Sequence, residues 1–290
     1  MQSSIDITPL LKMALAEDIG SGDVTAQACI PADMQAKFAM NAREALVVCG
    51  LTFLPKLFEL IDPKVRVVLE VEDGTPVEKG AMLATLEGPA RALLMGERVA
   101  LNLVQQLSGV ATLTARYVAA VAGTGAQILD TRKTTPGLRA LQKYAVSCGG
   151  GCNHRMGLYD LVLIKDNHIA VAGSVSAAVM AAKTHAPAGM KIEVECDTLA
   201  QLDEALAVGC DIVLLDNMTN DQLREGVARV VAHNAKDLAE NSDFSSVKTE
   251  ASGSVSLETV RAIAETGVDF ISVGKLTHSA VAVDIGLDEV

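Results

Sequence analysis

KIEVECDTLAQLDEALAVGCDIVLLD, residues 191–216, sets two short apolar strand candidates around one amphipathic helix. KIEVEC and IVLLD are short and dominated by Val, Ile and Leu, whereas TLAQLDEALAVG repeats its apolar residues at helical spacing. A strand, a helix and a strand in that order imply parallel neighbours joined by a right-handed crossover. The pattern extends both ways. Strand candidates AQILD, LVLIK, VKTEA and DFISV begin at 126, 161, 247 and 269. Helical stretches LRALQKYAVS, VSAAVMAAKTHA, NDQLREGVARVVAHN and SLETVRAIAETG separate most of them. Six units are too few for a complete eightfold barrel, so the pattern alone leaves a doubly wound sheet and an incomplete barrel both open.

Upstream the texture differs. Between residues 30 and 90 the chain reads as AKFAMNA, ALVVCG, VRVVLEVEDG, TPVEKGAML and ATLEGP, short alternating strands with turn punctuation and one amphipathic helix, LPKLFELID. This is a small sheet domain. From Ala90 to Ala122, ARALLMGERVALNLVQQLSGVATLTARYVAAVA is helical by composition and period, with a break into two helices expected near Ser108 and Gly109. A chain of 290 residues exceeds the usual single core, which agrees with two domains.

Composition narrows the function. Half the residues are apolar but only 3% are aromatic and none is Trp, which suits buried parallel strands and Ala-rich helices. Neither a spanning apolar run nor a signal-peptide pattern in MQSSIDITPL is read, and the six cysteines are scattered rather than densely framed, so a cytoplasmic, reducing setting is expected. A net charge of −12 argues against nucleic-acid binding, which needs a basic footprint. Against that background residues 131–168 stand out: Arg132, Lys133, Arg139, Lys143, Arg155 and Lys165 against Asp160 and Asp166 give +4, leaving −16 for the rest.

The polar residues of the β/α region close its strands. Asp130, Thr131, Arg132 and Lys133 follow AQIL, Lys165 follows LVLI, Glu193 and Glu195 end KIEVE, and Asp216 ends IVLLD. Ser252 and Gly253 follow VKTEA, and Gly274 follows DFISV. The carboxyl ends of parallel strands share one rim, where ligands bind. Arg132 and Arg155 suit carboxylates gripped bidentately, Lys133 and Lys165 act as point charges, and His154 adds a donor. Arg132 paired with Asp130 is the bland alternative, and Arg139 and Lys143, four apart, are expected on a solvated helix face. Glu195 and Asp216 suit Mg²⁺. Ser252, Gly253 and Ser254, read as the start of the helix SLETVRAI, and the turn Ser272, Val273 and Gly274 suit phosphate.

Rival chemistries are weaker. VEDGTPVEKGAML superficially resembles a lipoyl or biotinyl carrier but lacks the lysine at a hairpin tip. Lys165 as a Schiff-base lysine would make a lyase. Cys148, Cys152 and His154 as zinc ligands lack a fourth partner.

Several segments together are similar to the quinolinate phosphoribosyltransferase family: EDIGSGDVT at 17–25, GERVALNLVQQLSGVAT at 96–112, DTRKTTPGLRALQKYAVSCGGGCNHRMGLYDLVLIKDNHI at 130–169, then IEVEC, LLDNM, EASGS and ISVGKLTHS. The resemblance covers nearly the whole chain. It implies an α/β protein with a small α/β sandwich domain over 1–102, joined by 277–290, and an open, incomplete parallel α/β barrel of about six to seven strands over 103–276. It implies transfer of phosphoribose from phosphoribosyl pyrophosphate to quinolinate with loss of CO₂, in NAD biosynthesis, by a homodimer using Mg²⁺. A nicotinate-type or other base phosphoribosyltransferase is the alternative.

By the same resemblance, Arg132, Lys133, His154, Arg155 and Lys165 hold the dicarboxylate with Thr131, and Arg98 joins them from the partner subunit. Lys133 and Lys165 sit nearest the reacting centre. Glu195 and Asp216 hold Mg²⁺ and the ribose hydroxyls, and Ser252 to Ser254 and Ser272 to Gly274 receive phosphate. Four departures from the family pattern are visible, one of them Ser147, which stands where a basic or apolar residue is common. Residues 233–249 are longer and more polar than usual and read as an exposed loop. Ser254 stands where Gly or Asn is common, and Lys275 where Ala is common.

Overall fold

The computed structural model describes residues 5–240 and 246–290. Its strands are, in chain order, β1 (Gln35–Ala42), β2 (Leu46–Val47), β3 (Arg66–Leu69), β4 (Pro76–Val77), β5 (Met82–Pro89) and β6 (Gln127–Leu129), then β7 (Val162–Ile164), β8 (Ile192–Cys196), β9 (Ile212–Asp216), β10 (Lys248–Ser252), β11 (Phe270–Ser272) and β12 (Ile285–Glu289). They fall into two compact units. One takes the chain up to Ala115 with Thr135–Gly150 and Leu276–Val290, and the other takes Arg116–Thr134 and Gly151–Lys275.

All six strand candidates of the β/α region form one parallel sheet in the order β6-β11-β10-β9-β8-β7. The sheet is open, with β6 and β7 at its edges, as the resemblance implied. The crossovers stop where local chemistry stops them. Helix Leu199–Val208 starts on a capping box, in which Thr198 Oγ1 accepts the Gln201 N–H at 3.2 Å and Gln201 Oε1 accepts the Thr198 N–H at 3.1 Å. It ends at Gly209, whose φ of 83° costs a glycine little. Along the free edge of β6, the Cys152 N–H donates to Ile128 O at 2.8 Å and the Asp130 N–H to Cys152 O at 3.2 Å. Residues 152–154 are thereby laid beside β6.

In the other unit, β12-β1-β5-β3 form an antiparallel sheet and β2 pairs with β4. The expected strands AML and ATLEGP are one strand, β5, and the C-terminal β12 pairs with β1. Helix Leu54–Ile61 matches its expected place. Helices Thr8–Ile19 and Val24–Cys29 carried no sequence reading here.

The expected break near Ser108 and Gly109 does not occur: Ala90–Ala120 is one helix. The small residues serve close packing instead. Ser108 Oγ accepts the Cys49 N–H at 2.9 Å and donates to Cys49 O at 3.1 Å, satisfying a buried backbone pair beyond β2. A Cβ at Gly109 would lie 2.1 Å from Val281 O. Residues 233–240 are also not loop, because helix Asn220–Glu240 runs through them. Asn234 holds the return of the chain, its Oδ1 accepting the Val247 N–H at 2.9 Å and its Nδ2 donating to Val247 O at 3.0 Å. Residues 248–249 belong to β10, and 241–245 lie outside the described residues.

Gly109→Ala should therefore lower stability by about 1–3 kcal/mol, the usual cost of overpacking, although alanine is the better helix former. Urea unfolding of the variant measures this, and unchanged or raised stability would contradict the close approach to Val281.

Candidate functional site

Successive side chains of a strand alternate between faces, so one rim of the parallel sheet is loaded by alternate residues: Leu163 and Lys165, Glu193 and Glu195, Leu214 and Asp216, Glu250 and Ser252. A cavity of ≈ 260 Å³ opens at that rim. Thr131, Arg132, Lys133, His154, Arg155, Lys165, Glu195, Asp216, Ser252 and Ser272 line it, together with Leu163, Leu214 and Glu250. Ten of the expected site residues thus meet in one concavity.

His154 is held from three sides. Its backbone N–H donates to Oδ1 of the fully buried Asp130 at 2.9 Å. Its Nδ1 accepts the Arg155 N–H at 2.7 Å, and its Nε2 lies 3.0 Å from Glu193 Oε2 and 3.6 Å from Glu250 Oε2. An N–H aimed at Nδ1 assigns the ring proton to Nε2, facing the two carboxyls. Arg155 Nη1 donates to Leu161 O at 3.2 Å, while its Nε is buried with no hydrogen-bond partner, ready for an incoming oxygen. Burial, and then Arg132 beside it, hold the Arg155 guanidinium below its ordinary pKa, with Glu193 and Asp160 opposing.

Lys165 directly follows β7, and its ammonium pairs with Glu195 on the neighbouring strand β8. Its backbone N–H donates to His168 Nδ1 at 2.9 Å, opening the short helix Asp166–Ala172, which sequence reading passed over. The left-handed Gly173, φ 95°, was the available stop signal. Glu195 and Asp216 both line the cavity and supply only carboxylate oxygens, the hard donor set that Mg²⁺ takes. His154, Glu193 and Glu250 also have metal-ligand spacing, their donor atoms lying within 4.8 Å of one another. A histidine that ligates through Nε2, however, carries its proton on Nδ1 and donates it outward. Here a donor faces Nδ1, so the trio is a hydrogen-bonding cluster. Neither Cys148 nor Cys152 belongs to it, and among the described residues no other such group occurs.

Two strand-end turns lock together behind the cavity. The Asn217 N–H donates to Ser252 O at 3.0 Å, and a Cβ at Gly253 would lie 2.2 Å from Asn217 Oδ1. Among the described residues, Asn217 and Ser254 are the non-glycine ones with left-handed backbone, φ 53° and 48°. Gly and Asn adopt that conformation more readily than Ser, so Ser254 carries a backbone cost there. The helix expected from SLETVRAI is regular only over Val260–Ala264. A turn at 257–259 precedes it, with the Ser256 N–H donating to Thr259 Oγ1 at 3.0 Å, so Ser252 to Ser254 form a strand-end turn and not a helix start.

Arg98 lies in the other unit, lining a cavity there with Glu17, Asp18 and Asn102. Lys143 is a correction: it is fully buried, because Leu141 to Val146 are buried all round their helix, while Arg139 is half-buried. Sequence reading gave Glu250 no role. The period of two from Ser252 was the signal that could have placed it on the cavity face.

Burial, and then the neighbouring Glu193, push the Glu250 carboxyl from 4.5 up to about 8, with His154 and Ser272 opposing. The folded state therefore holds a proton that the unfolded chain releases between these values, and stability contributed by Glu250 is lost as pH rises through that window. Glu250→Gln removes this dependence. Its melting temperature relative to the unsubstituted protein should climb from about pH 5 to about pH 8 and level off above that, as thermal unfolding across the range would show. A difference flat with pH would mean that Glu250 does not keep its proton.

The comparisons with known proteins agree with this geometry. Residues 23–108 match the model of the quinolinate phosphoribosyl transferase N-terminal domain and residues 110–288 that of the C-terminal domain. A Mycobacterium leprae nicotinate-nucleotide pyrophosphorylase (carboxylating) is 46% identical over 283 residues, covering 96% of this chain and 95% of that one. A probable nicotinate-nucleotide pyrophosphorylase (carboxylating) of Bacillus subtilis is 44% identical over 284 residues, covering 98% and 93%. The structure of the nicotinate-nucleotide pyrophosphorylase from Francisella tularensis superimposes with a TM-score of 0.90 at 38% identity, covering 98% of this chain and 96% of that one. The chain belongs to the quinolinate phosphoribosyltransferase family.

Proposed function

We propose that this chain transfers the phosphoribosyl group of phosphoribosyl pyrophosphate to the ring nitrogen of quinolinate, giving nicotinate mononucleotide, pyrophosphate and CO₂, a step of NAD biosynthesis. The observation that carries the reading is the cavity rim, where Arg132, Lys133, Arg155 and Lys165 converge in a protein of net charge −12. A pyridine dicarboxylate and a pyrophosphate bring several negative charges together, and planar guanidinium groups match carboxylates bidentately.

The reaction needs no protein nucleophile. The ring nitrogen attacks C1 of the ribose as pyrophosphate leaves, so positioning and charge stabilisation supply most of the rate. Arg132 and Arg155 fix the two carboxylates, with Thr131 and His154 at the same wall. Lys133 and Lys165 stand nearest the reacting centre, where the Lys165 ammonium, paired with Glu195, is available to shift to the leaving group. Ser252 to Ser254 and Ser272 to Gly274 receive the phosphate of the ribose. Glu195 and Asp216 would hold Mg²⁺ and the ribose hydroxyls. The ion, when bound, neutralises charge on the pyrophosphate. The alkylated ring is then an electron sink for the carboxylate that departs as CO₂.

The finer features belong to the same proposal. The enzyme is a homodimer, and Arg98 of one subunit completes the carboxylate set of its partner. A cytoplasmic setting is supported by six free cysteines and by the absence, among the described residues, of a helix long and apolar enough to cross a membrane.

Incubation with quinolinate, phosphoribosyl pyrophosphate and Mg²⁺ should yield nicotinate mononucleotide and CO₂ together, and turnover of nicotinate in place of quinolinate would overturn the reading. Arg155→Ala should weaken quinolinate binding about ten- to a hundredfold, as expected for one charge-assisted contact. Lys165→Ala should lower kcat, and an effect on KM alone would remove Lys165 from the reacting centre.

A further inference from the structure

Glu250 has a place that the reaction as described does not use. It sits in the middle of β10, 1% exposed, yet its side chain forms part of the cavity wall. Leu214 of β9 and Phe270 of β11 stand beside it in register. Its charged or titratable neighbours are Glu193 and His154, and the cations of the cavity lie at the rim. The carboxylate oxygens of both Glu193 and Glu250 are buried, and Nε2 of His154 lies 3.0 Å from the one and 3.6 Å from the other. Two carboxyls this close and this dry cannot both ionise, and the single imidazole proton between them, on Nε2, neutralises neither pair member fully. One carboxyl must stay an acid, and of the two residues Glu250 is the one that lines the cavity wall.

Resting on the reading above, we propose that Glu250 is the general acid of the decarboxylation, a protonated carboxyl in the cavity floor that delivers its proton to the ring carbon losing CO₂. The bond between that carbon and the carboxylate breaks, and its electron pair stays on the carbon beside the positively charged ring nitrogen. The Glu250 O–H breaks, a C–H bond forms, and Glu250 is left as a carboxylate. Glu193 and the Nε2–H of His154 accommodate that transient charge until water re-protonates Glu250 after product leaves. The cluster gives the acid a buried setting beside a second carboxyl, of the kind that keeps other catalytic carboxyls neutral at physiological pH. It also separates the two halves of the reaction in space, with cations at the rim for transfer and an acid at the floor for decarboxylation.

Glu250→Gln is the decisive variant, because glutamine copies the shape and neutrality of a protonated glutamate but has no proton to give. Its melting temperature reports that it folds. In rapid-quench experiments with quinolinate and phosphoribosyl pyrophosphate, the variant should release pyrophosphate in the first turnover nearly as the unsubstituted enzyme does. Release of CO₂ should slow by about a hundredfold or more, the usual contribution of a general acid. KM for both substrates should stay within about threefold, which a positional defect would not spare. The unsubstituted enzyme should lose kcat as the pH rises past about 8, where Glu250 gives up its proton, and the variant should lack that limb. If Glu250→Gln releases CO₂ within about threefold of the normal rate, Glu250 is packing and not an acid. Should Gln at 250 prevent folding, Glu250→Asp, which keeps the acid one methylene shorter, should retain the high-pH limb at reduced kcat, and its absence would equally overturn the proposal. An unsubstituted enzyme that ignores quinolinate would sink the functional reading itself, an outcome distinct from any of these.

Discussion

A buried charge must be paired, and the pleat of a parallel strand gives it no choice of direction. Because β8 and β10 put alternate residues on one face, Glu193 and Glu250 point inward below Glu195 and Ser252. The sheet closes over them, at 0% and 1% exposure, and the imidazole of His154 lies between. The position of His154 determines that of Arg155, whose amide caps the ring, and Asp130 ties both back to the end of β6. The cationic side of the cavity is therefore built on an inner layer of acids.

This layering explains how an acidic protein presents a cationic site. Burial, and then repulsion from Arg132, depress the pKa of Arg155, and Glu193 is among the groups that offset this. A dianion seated between the two guanidinium groups would offset it further. Asn217 and Ser254, held with left-handed backbone behind Gly253, show that the opposite wall also stores conformational cost next to the cavity. Cost of this sort persists where the surroundings over-determine it, here through the Asn217–Ser252 hydrogen bond.

Much of this was legible in the residues. Four apolar residues followed by a charge, as in LVLIK or IVLLD, mark both a buried strand and its functional end, because only the rim gives the charge somewhere to go. All six strand candidates of the β/α region were placed within a residue or two. What failed had a common cause: a residue type was read without its tertiary neighbour. Ser108 and Gly109 look like a helix break until Cys49 and Val281 are seen against them. Lys143 looks solvated until the whole turn around it is buried. The polar run from 233 looks like loop, yet its described part continues a helix because Asn234 can bond both polar groups of Val247. Glu250 was passed over since a lone acid inside VKTEA carries no signal of its neighbour Glu193, some 57 positions earlier in the chain.

On the proposed function, the rim grips a pyridine dicarboxylate between Arg132 and Arg155, above the acids that hold them. A crystal structure with quinolinate bound tests this most directly. Its two carboxylates should lie within hydrogen-bonding distance of both guanidinium groups, with Nε of Arg155 engaged and the His154 ring still turned toward Glu193. Quinolinate seated away from these arginines, or His154 swung out of the acid cluster to reach it, would contradict the account.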